Sequence, residues 1–325
     1  MKRIVIFDYV RLLAAVAVYV GHVRNSWYET PSALAYLLSE HAVHAFFLTS
    51  GFLIYQSADR LSTQEYLLRR VFRIWPGLTT CLFIISFALA PIVSRLFDNS
   101  PNWRDSFLFF LRNLLLLPAW QTTILDSLPP DLPSRAWNPP LWTLFFEVSC
   151  YLAALAFCRI HDKVRSRVYV LTLACLAALY ISTQAEVLTF WNSAAKLSLS
   201  FVLGTSFAIG RRFGLVTTAS VLVFSIGIRD WTLLSISILA IVLVDLAPHL
   251  VTVMPPLRCD LSFGIYIWHW PLVQLVWSLC RLLDVNLSWV QLGLVTFPAV
   301  VGVSIASWHL VESPAIKFAR RSEVR

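Results

Sequence analysis

The sequence predicts an all-α protein, a polytopic membrane helix bundle with about ten transmembrane helices and with its N- and C-termini in the cytoplasm. Three observations carry that prediction. Hydrophobic residues make up 58% of the chain, charged residues only 14%, and mean hydropathy is +0.70, whereas a soluble domain carries about 25% charge. Apolar runs such as 76–97, 194–210 and 231–247 reach or approach the ~20 residues that an α-helix needs to cross hydrocarbon. With the N-terminus inside, seventeen of the 26 Lys and Arg residues fall in cytoplasmic loops, eight on the other side, and Arg11 within the membrane. That bias is the positive-inside rule, obeyed by every alternate loop except the weak one holding Arg258.

In chain order the spans are placed at 4–23, 40–57, 76–97, 140–158, 168–185, 194–210, 214–229, 231–247, 261–280 and 288–311. One domain, 1–325, accounts for them all, with no appended soluble domain and no cleavable signal peptide. The stretch 98–139 is an outer loop whose apolar run 106–117 is too short to span, so it is expected to lie in the interface or re-enter as a partial lid. Pro129, Pro130, Pro133, Pro139 and Pro140 make its second half stiff and non-helical. Six cysteines without Cys-x-x-Cys or Cys/His spacing read as small buried hydrophobes, so no metal site is expected. The net charge of +8 follows from the loop bias. It points to anionic lipid and not to nucleic acid.

The first span carries the most informative pattern. Arg11 and His22 are separated by ten residues, and eleven helical steps return to nearly the same face, roughly 16 Å further along the axis. Asp8 joins that face. Ionisable groups at membrane depth cost at least about 2.5 kcal/mol each, so three on one stripe imply a protein interior or a watered cavity. In the second span Ser50 and Gly51 interrupt an aromatic run, where backbones or a ligand can approach closely. At its outer end, Glu40, His41 and His44 cluster near the outer surface, and a solvated or interfacial role is the default for His44. Arg69, Arg70 and Arg73 follow on the cytoplasmic side. They suit bidentate contacts to phosphate, or equally a positive-inside anchor ending at Trp75. The fourth span opens at Trp142, with Glu147 about 9 Å below the outer boundary and Tyr151 one turn further on. A carboxylate at that depth needs a partner, and Arg11 and His22 are the natural candidates. Late in the chain, His269 precedes Pro271 and is expected to satisfy a structural hydrogen bond.

Taken together these elements resemble the acyltransferase-3 family of integral membrane acyltransferases. The resemblance runs through Asp8, Arg11 and His22, then Phe46 to Phe52 as an FFxxSGF segment, then Arg69 to Pro76 as Arg-Arg-x-x-Arg-x-x-Pro. It continues through Trp142, Leu144, Glu147 and Tyr151, with Thr143 where the pattern has serine. Ser262, Tyr266, His269 and Pro271 follow, with Phe263 replacing a tyrosine, and Glu312 to Pro314 closes the set. Each motif is weak alone, whereas their order and spacing are jointly specific.

The resemblance implies an O-acyltransferase of the bacterial cytoplasmic membrane that moves an acyl group, usually acetyl, from acyl-coenzyme A to a carbohydrate hydroxyl. The co-substrate is acetyl-CoA, with no permanently bound cofactor, and the acceptor a surface polysaccharide, a lipid-linked glycan or a macrolide sugar. Arg69, Arg70 and Arg73 would meet the coenzyme's phosphates. His22 would serve as general base or as a covalent acyl carrier, with Asp8, Arg11 and Glu147 setting its field or contacting the sugar. Ser50, Trp142, Tyr151 and His44 would line the acceptor site. A glycolipid transporter remains the alternative class, although no repeat between the two halves is evident.

Overall fold

The computed structural model describes residues 5–28, 32–116, 121–160, 162–182, 189–250 and 255–321. Among these the chain is helical, with no strand. The helices are α1 (Val5–Ser26), α2 (Ala33–Arg60), α3 (Thr63–Ile84), α4 (Ala90–Leu96), α5 (Trp103–Leu114), α6 (Trp142–Cys158), α7 (Asp162–Ser182), α8 (Thr189–Ile209), α9 (Arg211–Ile228), α10 (Trp231–Leu250), α11 (Ser262–Leu282), α12 (Trp289–Ser307) and α13 (Ser313–Arg321). A π-turn at Ile85–Leu89 carries α3 into α4, and another at Trp308–Glu312 carries α12 into α13. Six of the resulting helical rods are long and apolar enough to cross a membrane: Val5–Ser26, Ala33–Arg60, Thr63–Leu96, Pro139–Cys158, Arg211–Ile228 and Trp289–Arg321. The stretches Arg167–Ser182 and Trp231–Leu243 are shorter and apolar. The protein is a multi-pass helical membrane protein.

All ten predicted spans fall on helices, with residue 4 and residues 183–185 outside the described set, as are Lys2, Arg3 and Arg325. Two boundaries differ from expectation. α2 begins at Ala33, a full two turns earlier than the hydropathy indicated, so His44 sits about three turns inside it. α3 begins at Thr63, well before residue 76, so Pro76 lies in its interior, while Arg69 and Arg73 share a helix as their four-residue spacing implies. Proline forfeits one backbone hydrogen bond there, and the apolar packing of Ile74, Leu78, Cys81 and Leu82, all 2% exposed or less, holds the rod together regardless.

The chain forms two interleaved compact units: 1–14, 41–66 and 146–258 make the first, and 15–40, 67–145 and 259–325 the second. In the first unit, Ile6, Phe7, Leu48, Leu203, Phe207, Val221, Ile236, Ala240 and Leu243 form a buried core from α1, α2, α8, α9 and α10. A close crossing of α2 and α8 depends on glycine. A Cβ on Gly51 would lie 2.0 Å from the Phe201 carbonyl oxygen, and one on Gly204 would lie 1.9 Å from that of Leu48. The Gly51 next to Ser50 is therefore a packing residue. In the second unit, α11 and α12 pack along their length, with a Cβ on Gly264 meeting Ser304 at 2.9 Å.

The stretch 98–138 lies within the second unit. α5 is capped by the Asn102 side chain, which accepts from the Asp105 amide at 3.0 Å. The segment 121–138 is non-helical, as its prolines predict, and side chains of α11 fasten it. Trp270 Nε1 donates to the Ala136 carbonyl at 2.8 Å and Gln274 Nε2 to that of Ser134 at 2.7 Å. Pro271 supplies the third fastening indirectly. Lacking an N–H, it leaves the Ile267 carbonyl without its helical partner, and Asn138 Nδ2 donates there at 2.9 Å while the Cys81 thiol approaches at 3.3 Å.

The cysteines only partly follow expectation. Cys81, Cys150 and Cys158 are buried, whereas Cys175 is exposed and Cys259 and Cys280 are half-buried. Helix faces read as lipid-facing tolerate a small apolar side chain as readily as a core does.

Candidate active site

The second unit brings His22, from the second half of α1, together with His269 of α11. His22 is half-buried and its Nδ1 lies 2.9 Å from Nε2 of His269, which is fully buried. The two ring centroids are 5.2 Å apart with planes inclined by 19°. With nitrogens 2.9 Å apart, that separation describes two rings joined edge to edge in nearly one plane, since faces in contact would bring the centroids much closer. Trp270 presents an edge to His22 at 5.2 Å and is itself packed on Trp27 at 4.5 Å. Trp27 Nε1 donates to Gln274 Oε1 at 3.1 Å. The Tyr19 hydroxyl lies 2.7 Å from Thr296 Oγ1 and donates to the Gly293 carbonyl at 2.6 Å, which anchors α1 to α12 one turn before His22.

Nearby in the same unit, Thr143 keeps the hydroxyl expected of a serine. Its Oγ1 lies 2.5 Å from the Tyr266 hydroxyl, and the Tyr266 hydroxyl donates to the Pro140 carbonyl at 2.8 Å. Trp142 is half-buried where α6 begins.

A further cluster joins three motifs. Arg73 donates through Nη2 to Asp260 at 2.7 Å and through Nη1 to Glu312 at 3.0 Å. Asp260 Oδ1 accepts from the Ser262 hydroxyl at 2.6 Å, and Glu312 Oε1 from that of Ser307 at 2.9 Å. The π-turn that ends α12 inserts an extra residue into the helical repeat and so directs Glu312 to α3. Gly77 leaves room for it, since a Cβ there would meet the Glu312 side chain at 3.3 Å. Phe263, in place of the pattern's tyrosine, lies under the Arg73 guanidinium at 5.3 Å. Arg73 is thus engaged by two carboxylates, while Arg69 and Arg70 sit half-buried on the same helix.

The first unit holds the other predicted residues. Asp8 and Arg11 are half-buried on α1, with the Arg11 guanidinium 4.7 Å over the Phe46 ring. Glu147 is buried and accepts a hydrogen bond from the Tyr151 hydroxyl, one turn on in α6. Tyr66 donates to the Tyr151 carbonyl at 2.9 Å. Ser50 is buried beside the glycine crossing. His44 is also buried, with Nδ1 2.9 Å from Ser200 Oγ, so the solvated or interfacial placement is corrected: packing of α2 against α8 encloses it. An ion pair the hydropathy concealed joins Lys196 to Asp230 at 3.1 Å, with Tyr180 donating to the same carboxylate. An apolar cavity of about 440 Å³ opens among α6, α7 and α8, lined by Cys150, Ala153, Phe157, Tyr169, Leu176 and Phe201 among others.

Sequence reasoning expected His269 to satisfy a structural hydrogen bond, which it does at the Ile265 carbonyl, 3.1 Å away, but did not foresee its contact with His22. The signal was the shared depth of two histidines next to kinking or packing elements, His22 after Gly21 and His269 before Pro271.

The profile of the acyltransferase-3 family, described as an acyltransferase domain, matches residues 4–309. The chain belongs to this family. It is similar to an O-acetyl transferase of Shigella phage Sf6, 25% identical over 97% of this chain and 96% of that protein. It is also similar to Nodulation protein 10 of Rhizobium leguminosarum bv. viciae, 24% identical over 96% of this chain and 93% of that one. No solved structure matches it significantly. The protein is therefore a membrane O-acyltransferase, and such an enzyme takes an acyl donor and an acceptor.

Proposed function

We propose that this enzyme transfers an acetyl group from cytoplasmic acetyl-coenzyme A to a hydroxyl of a glycan in the bacterial cytoplasmic membrane, with His22 as general base. The observation that carries the reading is the setting of His22, a partly accessible imidazole at the end of a polar stripe, backed by a fully buried second histidine. The acceptor O–H bond breaks as its proton passes to the His22 imidazole, and the oxygen lone pair forms the new bond to the thioester carbonyl carbon. Collapse of the tetrahedral intermediate breaks the C–S bond, and the coenzyme thiolate takes the proton back. A positioned base of this kind contributes about 10²- to 10⁴-fold.

Arg69 and Arg70 supply donors for the coenzyme's phosphates, while Arg73, engaged by Asp260 and Glu312, ties α3 to α11 and to the end of α12. Asp8 and Arg11 set the field along α1, and Glu147 with Tyr151, Ser50, His44 and Trp142 supplies acceptor contacts. The relative named O-acetyl transferase supports acetyl as the group moved.

The test is transfer from radiolabelled acetyl-coenzyme A by purified protein in proteoliposomes, offered lipid-linked glycans and free polysaccharides side by side. Label in a glycan supports the reading and names the acceptor class. Failure of both transfer and coenzyme A binding removes it.

A further inference from the structure

The His22 and His269 rings meet nitrogen to nitrogen, and one backbone carbonyl on the far side of His269 fixes the role of every ring nitrogen in the pair. The Ile265 carbonyl oxygen lies 3.1 Å from His269 Nδ1. A carbonyl has no proton to give, so Nδ1 of His269 carries the hydrogen. A neutral imidazole holds one N–H, which leaves His269 Nε2 as an acceptor. The only group it can accept from across the 2.9 Å contact is an N–H at Nδ1 of His22. His22 then carries its lone pair on Nε2.

We propose that His269 is a positioning residue for His22, fixing the tautomer in which Nε2 is unprotonated and turned toward the reacting hydroxyl. This rests on the reading of His22 as the base. Aromatic rings surround the pair: Tyr19 and Tyr266 stand 6.4 Å and 6.0 Å from the His269 ring, and Trp270 presents an edge to His22. The hydrogen bond made by one ring nitrogen is what sets the protonation of the other. A neutral imidazole suits this place better than the carboxylate that often does the job, because the resting pair buries no charge. When His22 takes the acceptor's proton at Nε2, its Nδ1–H still points at the His269 lone pair, which stabilises the new cation without moving an atom.

Two variants and one spectrum test this, with His22→Ala prepared alongside. His269→Phe keeps a planar ring and removes both nitrogens. His269→Gln places an amide oxygen where Nε2 accepts. In the labelled acetyl-transfer assay, His269→Phe is expected to lose about 100-fold in kcat with KM for acetyl-coenzyme A unchanged, and His269→Gln to recover about tenfold of that loss. Nitrogen-15 solid-state NMR of histidine-labelled protein in lipid, with the His22 resonances assigned by difference from His22→Ala, is expected to show the proton on Nδ1. In His269→Phe it is expected to shift toward Nε2, the tautomer free histidine prefers. A His22 protonated at Nε2 in the native protein overturns the proposal, as does wild-type kcat in His269→Phe or no recovery in His269→Gln. If His269→Phe does not fold, the native spectrum and His269→Gln decide. An active His22→Ala variant would remove the base reading itself, whereas an inactive His22→Ala with a fully active His269→Phe removes only the role of His269.

Discussion

At the scale of single residues, Glu312 shows how charge is managed in this protein. Its side chain is 1% exposed, yet it meets a guanidinium from a motif far away in the chain. Removing one partner of a buried pair costs about 3–5 kcal/mol because the other charge is left uncompensated. Arg73→Gln is therefore expected to lower the thermal midpoint in detergent markedly, and Glu312→Gln in the same background to restore part of it. An unchanged midpoint in Arg73→Gln would show that the cluster contributes nothing to stability. Glu147→Gln tests a different residue. It weakens the acceptor for the Tyr151 hydroxyl and is expected to reduce turnover while the protein still inserts. Unaltered turnover returns that pair to packing. The sequence named Arg73, Glu147 and His22, because a charge in an apolar run is visible in one dimension. It did not name the partners of Arg73 or of His22, since those lie on helices whose adjacency only the fold creates.

At the scale of helices, the crossing of α2 and α8 has no tolerance for a side chain at either glycine. Gly51→Ala and Gly204→Ala each place a methyl about 2 Å from a carbonyl oxygen. Overpacking typically costs about 1–3 kcal/mol, and here the clash is with rigid backbone. Both variants are expected to fall well below wild type in midpoint, with Gly227→Ala, where a Cβ meets nothing within 4 Å, close to it. Similar behaviour of all three would mean the helices are further apart than described. The outer loop gives a prediction in pH. Asp131 is held below the ordinary carboxylate value of 3.8 by the hydrogen bond from Arg281. A depressed value means the contact contributes fully above 3.8 and is lost as pH falls through the lowered value. Protection of the amides in 131–136, measured against intrinsic exchange at each pH, should fall in acid, by a small amount for so exposed a pair, and an Asp131→Asn variant should show no such fall. Hydropathy found the helices but misjudged where α2 and α3 begin. The additional turns, Ala33 to Ser39 and Thr63 to Trp75, mix polar with apolar residues, and tertiary packing decides whether such turns stay helical.

At the scale of the whole molecule, the distribution of Lys and Arg predicts that both termini face the cytoplasm. Tags at each end should resist protease added outside spheroplasts and be cleaved in inverted vesicles, and opposite accessibility of the two ends would contradict the even number of spans. The architecture was legible because run length and charge alternation are long-range, redundant signals. The pairing of His22 with His269 was not, because His269 read as a structural hydrogen-bonding residue and nothing in one dimension brings α1 and α11 together. The central claim is that His22 drives acyl transfer from coenzyme A. The most direct test compares wild type with His22→Ala, matched for insertion and coenzyme A affinity, in transfer of labelled acetyl to a membrane glycan. The account predicts label in the glycan for the wild type and a loss of at least about 100-fold for the variant. Transfer within a few-fold of wild type by His22→Ala would contradict it.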